Sequence, residues 1–122
     1  MSTVELTTDN FDEVLSDNPF VVIDFWASWC GPCRQFAPVY ERAAQKHDDI
    51  VFAKVDTEAQ QQLAAAFEVR SIPTLAVIRD RTIIYAQPGA LPDSALEDLL
   101  KQAREVDMDE LKKQAAEATP DA

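Results

Sequence analysis

The chain has 122 residues, 47% of them hydrophobic, and carries 22 acidic against 11 basic side chains for a net charge of −11. That length and apolar content fit one domain around one core. The charge argues against nucleic acid and anionic membranes as partners, since both need positive surface, and no apolar run approaches the ~18 residues of a membrane span.

Val4 and Leu6 fit a short edge strand. Asn10 and Glu13 have capping-box spacing and open a helix to about Asp17, with Phe11, Val14 and Leu15 on one apolar face. Asn18-Pro19 ends it. The run Phe20 to Trp26 is apolar on both faces, the mark of a central strand covered on both sides. Asp24 is its sole charge. From Cys33, the positions Phe36, Val39, Tyr40, Ala43 and Ala44 keep helical spacing to about His47, which reads as a solvated helix-end residue. Pro38 falls inside that pattern and predicts a kink.

Ile50 to Val55 is again apolar on both faces, with Lys54 the one intrusion. Thr57 and Gln60 have cap spacing ahead of a helix through Ala59, Leu63, Ala66 and Phe67. Strand, helix and strand over 20–55 make a right-handed βαβ unit with parallel strands. Leu75 to Arg79 and Thr82 to Gln87 read as an antiparallel hairpin around Asp80-Arg81, an unusual turn pair where Gly or Asn is preferred. Pro92-Asp93 opens a helix with Leu96, Leu99, Leu100 and Ala103 on one face. Asp107 with Glu110 caps a further short helix, and Thr119 to Ala122 should fray. The expected layout is α/β, a mixed central sheet of about five strands flanked by four helices, plus a short C-terminal helix. Residues 1–106 form the domain and 107–122 an acidic extension.

The chemistry concentrates in Trp29-Cys30-Gly31-Pro32-Cys33, which holds both cysteines of the chain. Cys30 sits where a helix begins, and the unpaired N–H groups there favour a thiolate. Cys33 lies one turn on, so its thiol can donate to Cys30 and the two can close into a small ring. Cys30, toward the exposed helix tip, is the attacking sulfur, and Cys33 resolves the mixed disulfide. A zinc site would need four ligands, and the two cysteines with His47 leave one missing, so no metal is expected. From pattern alone Asp24 reads as a strand-end residue reaching water, since burying a lone charge is costly.

With the stretch from Asp24 through Cys33, Ala37-Pro38, the Lys54 strand, Ile72-Pro73-Thr74 and Pro88-Gly89, the chain resembles the thioredoxin family over roughly residues 3–105. The resemblance implies a protein disulfide reductase, a general electron carrier with Cys30 as nucleophile and Cys33 as resolving thiol. It makes Pro73 a cis-proline facing the pair, and Asp24 a buried carboxylate near Cys33 with Lys54 as charge partner. It places Trp29, Ser71, Ile72, Pro73, Pro88 and Gly89 in a shallow groove for partner proteins. It implies no bound cofactor, a redox-active disulfide, electrons from NADPH through thioredoxin reductase, disulfide-containing client proteins and a monomer. Met1 to Glu5 show no basic patch followed by an apolar segment, so the expected location is the cytoplasm.

Two other readings are a non-catalytic adaptor or chaperone module, which would need neither cysteine nor Asp24, and a disulfide oxidase or isomerase, which usually carries a different dipeptide between the cysteines. The chain also departs from the family pattern. Glu68 and Ser71 stand where Gly is frequent, Asp80-Arg81 replaces a glycine turn, and Arg34 follows the motif where Lys is common.

Overall fold

The computed structural model describes residues 3–118. In chain order the elements are β1 (Thr3–Glu5), α1 (Phe11–Asp17), β2 (Phe20–Trp26), α2 (Gly31–Lys46), β3 (Val51–Asp56), α3 (Gln61–Ala66), β4 (Thr74–Arg79), β5 (Thr82–Pro88), α4 (Asp93–Glu105) and α5 (Met108–Ala118). The five strands form one sheet in the order β1-β3-β2-β4-β5. β1, β3 and β2 run parallel, while β4 and β5 are antiparallel to their neighbours. The expected fold class and the central place of β2 are both present. Residues 119–122, expected to fray, lie outside the described residues. Among the described residues no helix is long and apolar enough to cross a membrane.

The two-sided apolar strands explain the layers. Phe20 and Val22 of β2 face a cluster with Phe36, Tyr40, Leu96 and Leu100, so α2 and α4 cover that side. Val21, Ile23 and Phe25 face Leu6, Leu15, Ala53 and Leu63 on the other, under α1 and α3. Side chains alternate along a strand, so Asp24 points with Phe20 and Val22 toward α2. Tyr40 ties that layer together, its hydroxyl 2.9 Å from the Val22 carbonyl and 2.7 Å from the Ala53 carbonyl.

Local details differ from the sequence expectations. Asn10 makes no cap bond to its helix; its Oδ1 accepts from the Thr7 N–H at 2.7 Å and its amide donates to the Glu5 carbonyl, so it braces the β1–α1 loop. The cap expected of Thr57 and Gln60 is also not formed. The Asp56 carboxylate accepts from the Glu58 N–H instead, and Thr57 donates its hydroxyl to the Trp26 carbonyl. α2 runs unbroken from Gly31 to Lys46 with Pro38 inside it. Asp80 and Arg81 both have positive φ, 51° and 63°, the signature of a type I′ turn built here without glycine. Arg81 donates to the Ser16 hydroxyl and the Asp80 N–H to the Pro19 carbonyl, contacts that hold the turn against the end of α1.

His47 is not the solvated residue expected. Its ring stacks on Phe52 and lies 2.7 Å from a Glu97 oxygen and 2.7 Å from the Arg104 guanidinium, which also pairs with Asp49. The end of α2 is thereby fastened to α4. α5 begins as expected, with Asp107 accepting from the Glu110 N–H at 3.0 Å. Met108 is buried and Lys112 pairs with Asp80 across 3.2 Å.

Candidate active site

β2 delivers the chain to Trp26, and a short loop turns it into α2. Cys30 is the residue before the first helical turn, extended at φ −86° and ψ 113°. Gly31 and Pro32 then open the helix, where the missing proline N–H leaves no bond unmade. Cys30 and Cys33 are joined as a disulfide, with their Cα atoms 5.2 Å apart. That separation lies inside the range a disulfide spans. The Cys33 N–H donates to Cys30 Sγ at 3.2 Å. Arg34 donates to the Ser28 carbonyl at 2.8 Å and so pins the loop ahead of the cysteines. Its sequence signal was only a retained charge.

The loop before β4 closes over the pair. The Ile72–Pro73 bond is cis, and the Ile72 carbonyl oxygen lies 3.7 Å from Cys30 Sγ. Thr74 donates its hydroxyl to the Ser71 carbonyl, and Gly89 donates its N–H to the Pro73 carbonyl at 2.8 Å. Thr74 and Pro88 are register partners, so the two loops named from the sequence meet beside the cysteines. Trp29 is 64% exposed. With Ser71 and Ile72 it lines an open groove of about 380 Å³. The other wall, from Thr57, Glu58, Gln61, Ala65, Val69 and Arg70, was not anticipated. It comes from α3 and the segments just before and after it, which only tertiary packing brings near. Pro88 and Ser71 line a second, adjoining hollow of about 220 Å³.

Asp24 is 1% exposed, so the water-reaching strand end is not what forms. Burial pushes its carboxyl up to about 7, and the positive charge of Lys54 holds it partly back. Its Oδ1 has no hydrogen-bond partner among the described residues. Lys54 is its register partner on β3. The two make no ion pair, however, and the Lys54 ammonium lies over the Trp26 ring, 5.0 Å from its centroid. Trp26 packs beneath the cysteines with Ala27. Trp26, Lys54 and Cys33 share the wall of a cavity of about 240 Å³. Among the described residues no group of three or more His, Cys, Asp or Glu side chains could hold a metal ion.

Compared with known families, residues 2–102 match the family described as Thioredoxin. The chain belongs to the thioredoxin family. It is 61% identical over 116 residues to a Streptomyces coelicolor protein named "Putative thioredoxin 2", an alignment covering 95% of this chain and 87% of that one. It is 43% identical over 103 residues to Thioredoxin C-3 of Corynebacterium nephridii, covering 84% and 71%. Among solved structures, a mutant thioredoxin from Halobacterium salinarum superposes with a TM-score of 0.79 at 36% identity, covering 85% of this chain and 92% of that one. With its redox-active cysteine pair, this member of the family is a thiol-disulfide oxidoreductase, and the adaptor reading is not favoured.

Proposed function

We propose that the chain works as a reductant of protein disulfides, with Cys30 as nucleophile and Cys33 as resolving thiol. The observation that carries this is the Cys33 N–H aimed at Cys30 Sγ at the start of α2. Once the pair is reduced, that donor and the first-turn dipole favour a thiolate at Cys30. The thiolate attacks one sulfur of a client disulfide. The bond between the two client sulfurs breaks, one client sulfur leaves as a thiolate, and the other is held in a mixed disulfide with Cys30. The Cys33 thiol then gives its proton to Asp24, through water, and its sulfur attacks Cys30. The mixed disulfide breaks, the Cys30–Cys33 disulfide forms, and the second client thiolate leaves. Two electrons pass from the pair to the client.

Asp24 suits the acceptor role because burial holds its carboxyl near neutrality, and Lys54 lies close enough to moderate its charge. Trp29, Ser71, Ile72, Pro73, Pro88 and Gly89 are read as the client groove, in which the extended backbone of a client pairs beside Pro73. Electrons reach the disulfide from NADPH through thioredoxin reductase, with no bound cofactor. The protein acts as a cytoplasmic monomer, and residues 1–106 suffice for the reaction.

Insulin reduction in the presence of NADPH and a thioredoxin reductase tests the reading. Turnover is expected, and none above background overturns it. Cys33→Ser should trap clients as mixed disulfides through Cys30, whereas Cys30→Ser should trap none.

A further inference from the structure

Asp24 and Lys54 face each other on neighbouring parallel strands, and Trp26 is two residues beyond Asp24 on β2. All three side chains therefore leave the same face of the sheet. The register allows a salt bridge, but the ammonium lies over the indole ring, at the wall of the cavity that reaches Cys33. The Asp24 Oδ1 is left without a partner among the described residues.

We infer that Trp26 is a positioning residue: its ring holds the Lys54 ammonium off the Asp24 carboxyl, which stays free of an ion-pair partner and able to accept a proton. The physical reason is a difference in desolvation. An ammonium over a ring face keeps part of its hydration and gains the attraction of the ring. A buried ion pair requires both charges to leave water. Were the pair to form, the carboxylate would be stabilised as the anion and become a poorer base.

Other groups near Asp24 cannot substitute for this control. On α2 the Tyr40 phenol is fully buried, held protonated by burial first and by the Asp24 charge second. Cys33 on the same helix is tied in the disulfide. The register partner on β4 is Leu75, and α4 adds Leu96, Leu100 and Ala103 to this layer. Arg34 of α2 also lines the cavity, but its guanidinium is bonded to the Ser28 carbonyl, so Lys54 is the cation among these groups whose position can change.

The inference rests on the reading of Asp24 as proton acceptor, but it is tested separately. The Asp24 carboxyl is titrated by carbon-13 NMR in the disulfide form of the parent, Trp26→Leu, Lys54→Met and the double variant. Trp26→Leu should lower the midpoint by about 1 pH unit as Lys54 moves onto the carboxyl. In the Lys54→Met background the same change should lower it far less, through added water alone. Trp26→Phe keeps a ring and secures a folded comparison, with a smaller lowering in the same direction. An unmoved or raised midpoint in both Trp26 variants overturns the inference. So does a lowering that is equally large without Lys54. If the midpoint falls as expected but Asp24→Asn leaves mixed-disulfide release at the parent rate, the acceptor reading fails and the positioning role stands.

Discussion

Gly89 donates its backbone N–H to the Pro73 carbonyl across 2.8 Å, and this one bond joins the two loops that flank the cysteine pair. Gly89 has φ +117°, and a methyl group there would meet no atom within 4 Å. The constraint is therefore conformational rather than steric crowding. Gly89→Ala should destabilise by about 1–3 kcal/mol, read as a lower urea midpoint at unchanged slope. It should also slow insulin reduction, because the loop must shift away from Pro73. Parent-like values of both would show that the backbone relaxes freely here.

Asp24 makes stability depend on pH with a definite sign. Its carboxyl titrates at about 7 in the folded protein against 3.8 for the free group. Between those values the folded state holds a proton that the unfolded state has lost, so stability falls as pH rises. Between pH 5 and pH 8 the loss should be on the order of 3 kcal/mol. Asp49 and Asp93, held below the usual carboxylate range by hydrogen bonds from Arg104 and Arg42, stay ionised across that window. In Asp24→Asn the loss should disappear, which urea titrations at the two pH values would measure. The same variant should slow the release of client from the mixed disulfide while leaving its formation unchanged.

Tyr40 carries one hydroxyl proton toward two carbonyls, those of Val22 and Ala53, in a fully buried position. Tyr40→Phe leaves both oxygens without it. The expected cost is about 1–3 kcal/mol, again from the urea midpoint. The Cys30–Cys33 chemistry should be unaffected, since the hydroxyl serves the α2–sheet contact.

Removing residues 107–122 tests the proposed domain boundary. Met108 is buried and Lys112 pairs with Asp80 in the hairpin turn. Losing the Met108 side chain should cost about 1.5–3 kcal/mol, with little added by the exposed ion pair. Insulin reduction by residues 1–106 should match that of the full chain. A large loss of activity in a folded truncation would assign the extension a part in the reaction.

The core of the fold is legible in local pattern. β2 and β3 are apolar on both faces, and that alone demands a sheet covered on two sides. The position of Cys30 and Cys33 at the first turn of α2 follows from spacing, because residues three apart meet on one helix face. Asp107 as the cap of α5 was readable for the same reason, since its partner Glu110 is three residues away.

Features that depend on distant partners were not readable in this way. Asn10 and Thr57 have cap spacing, but the Asn10 oxygen accepts from the Thr7 N–H and the Thr57 hydroxyl donates to the Trp26 carbonyl. His47 looked solvated because Glu97 and Arg104 are 50 and 57 residues away in sequence. The burial of Asp24 was ambiguous in pattern, as a lone charge can sit at a strand end or deep in a sheet, and only the packing of α2 over β2 decides which. By itself the sequence determined the strand and helix pattern and which two sulfurs react. The tertiary structure decided how acidic the neighbouring carboxyl is and where Lys54 rests, because desolvation and ring contact depend on every element that closes over them.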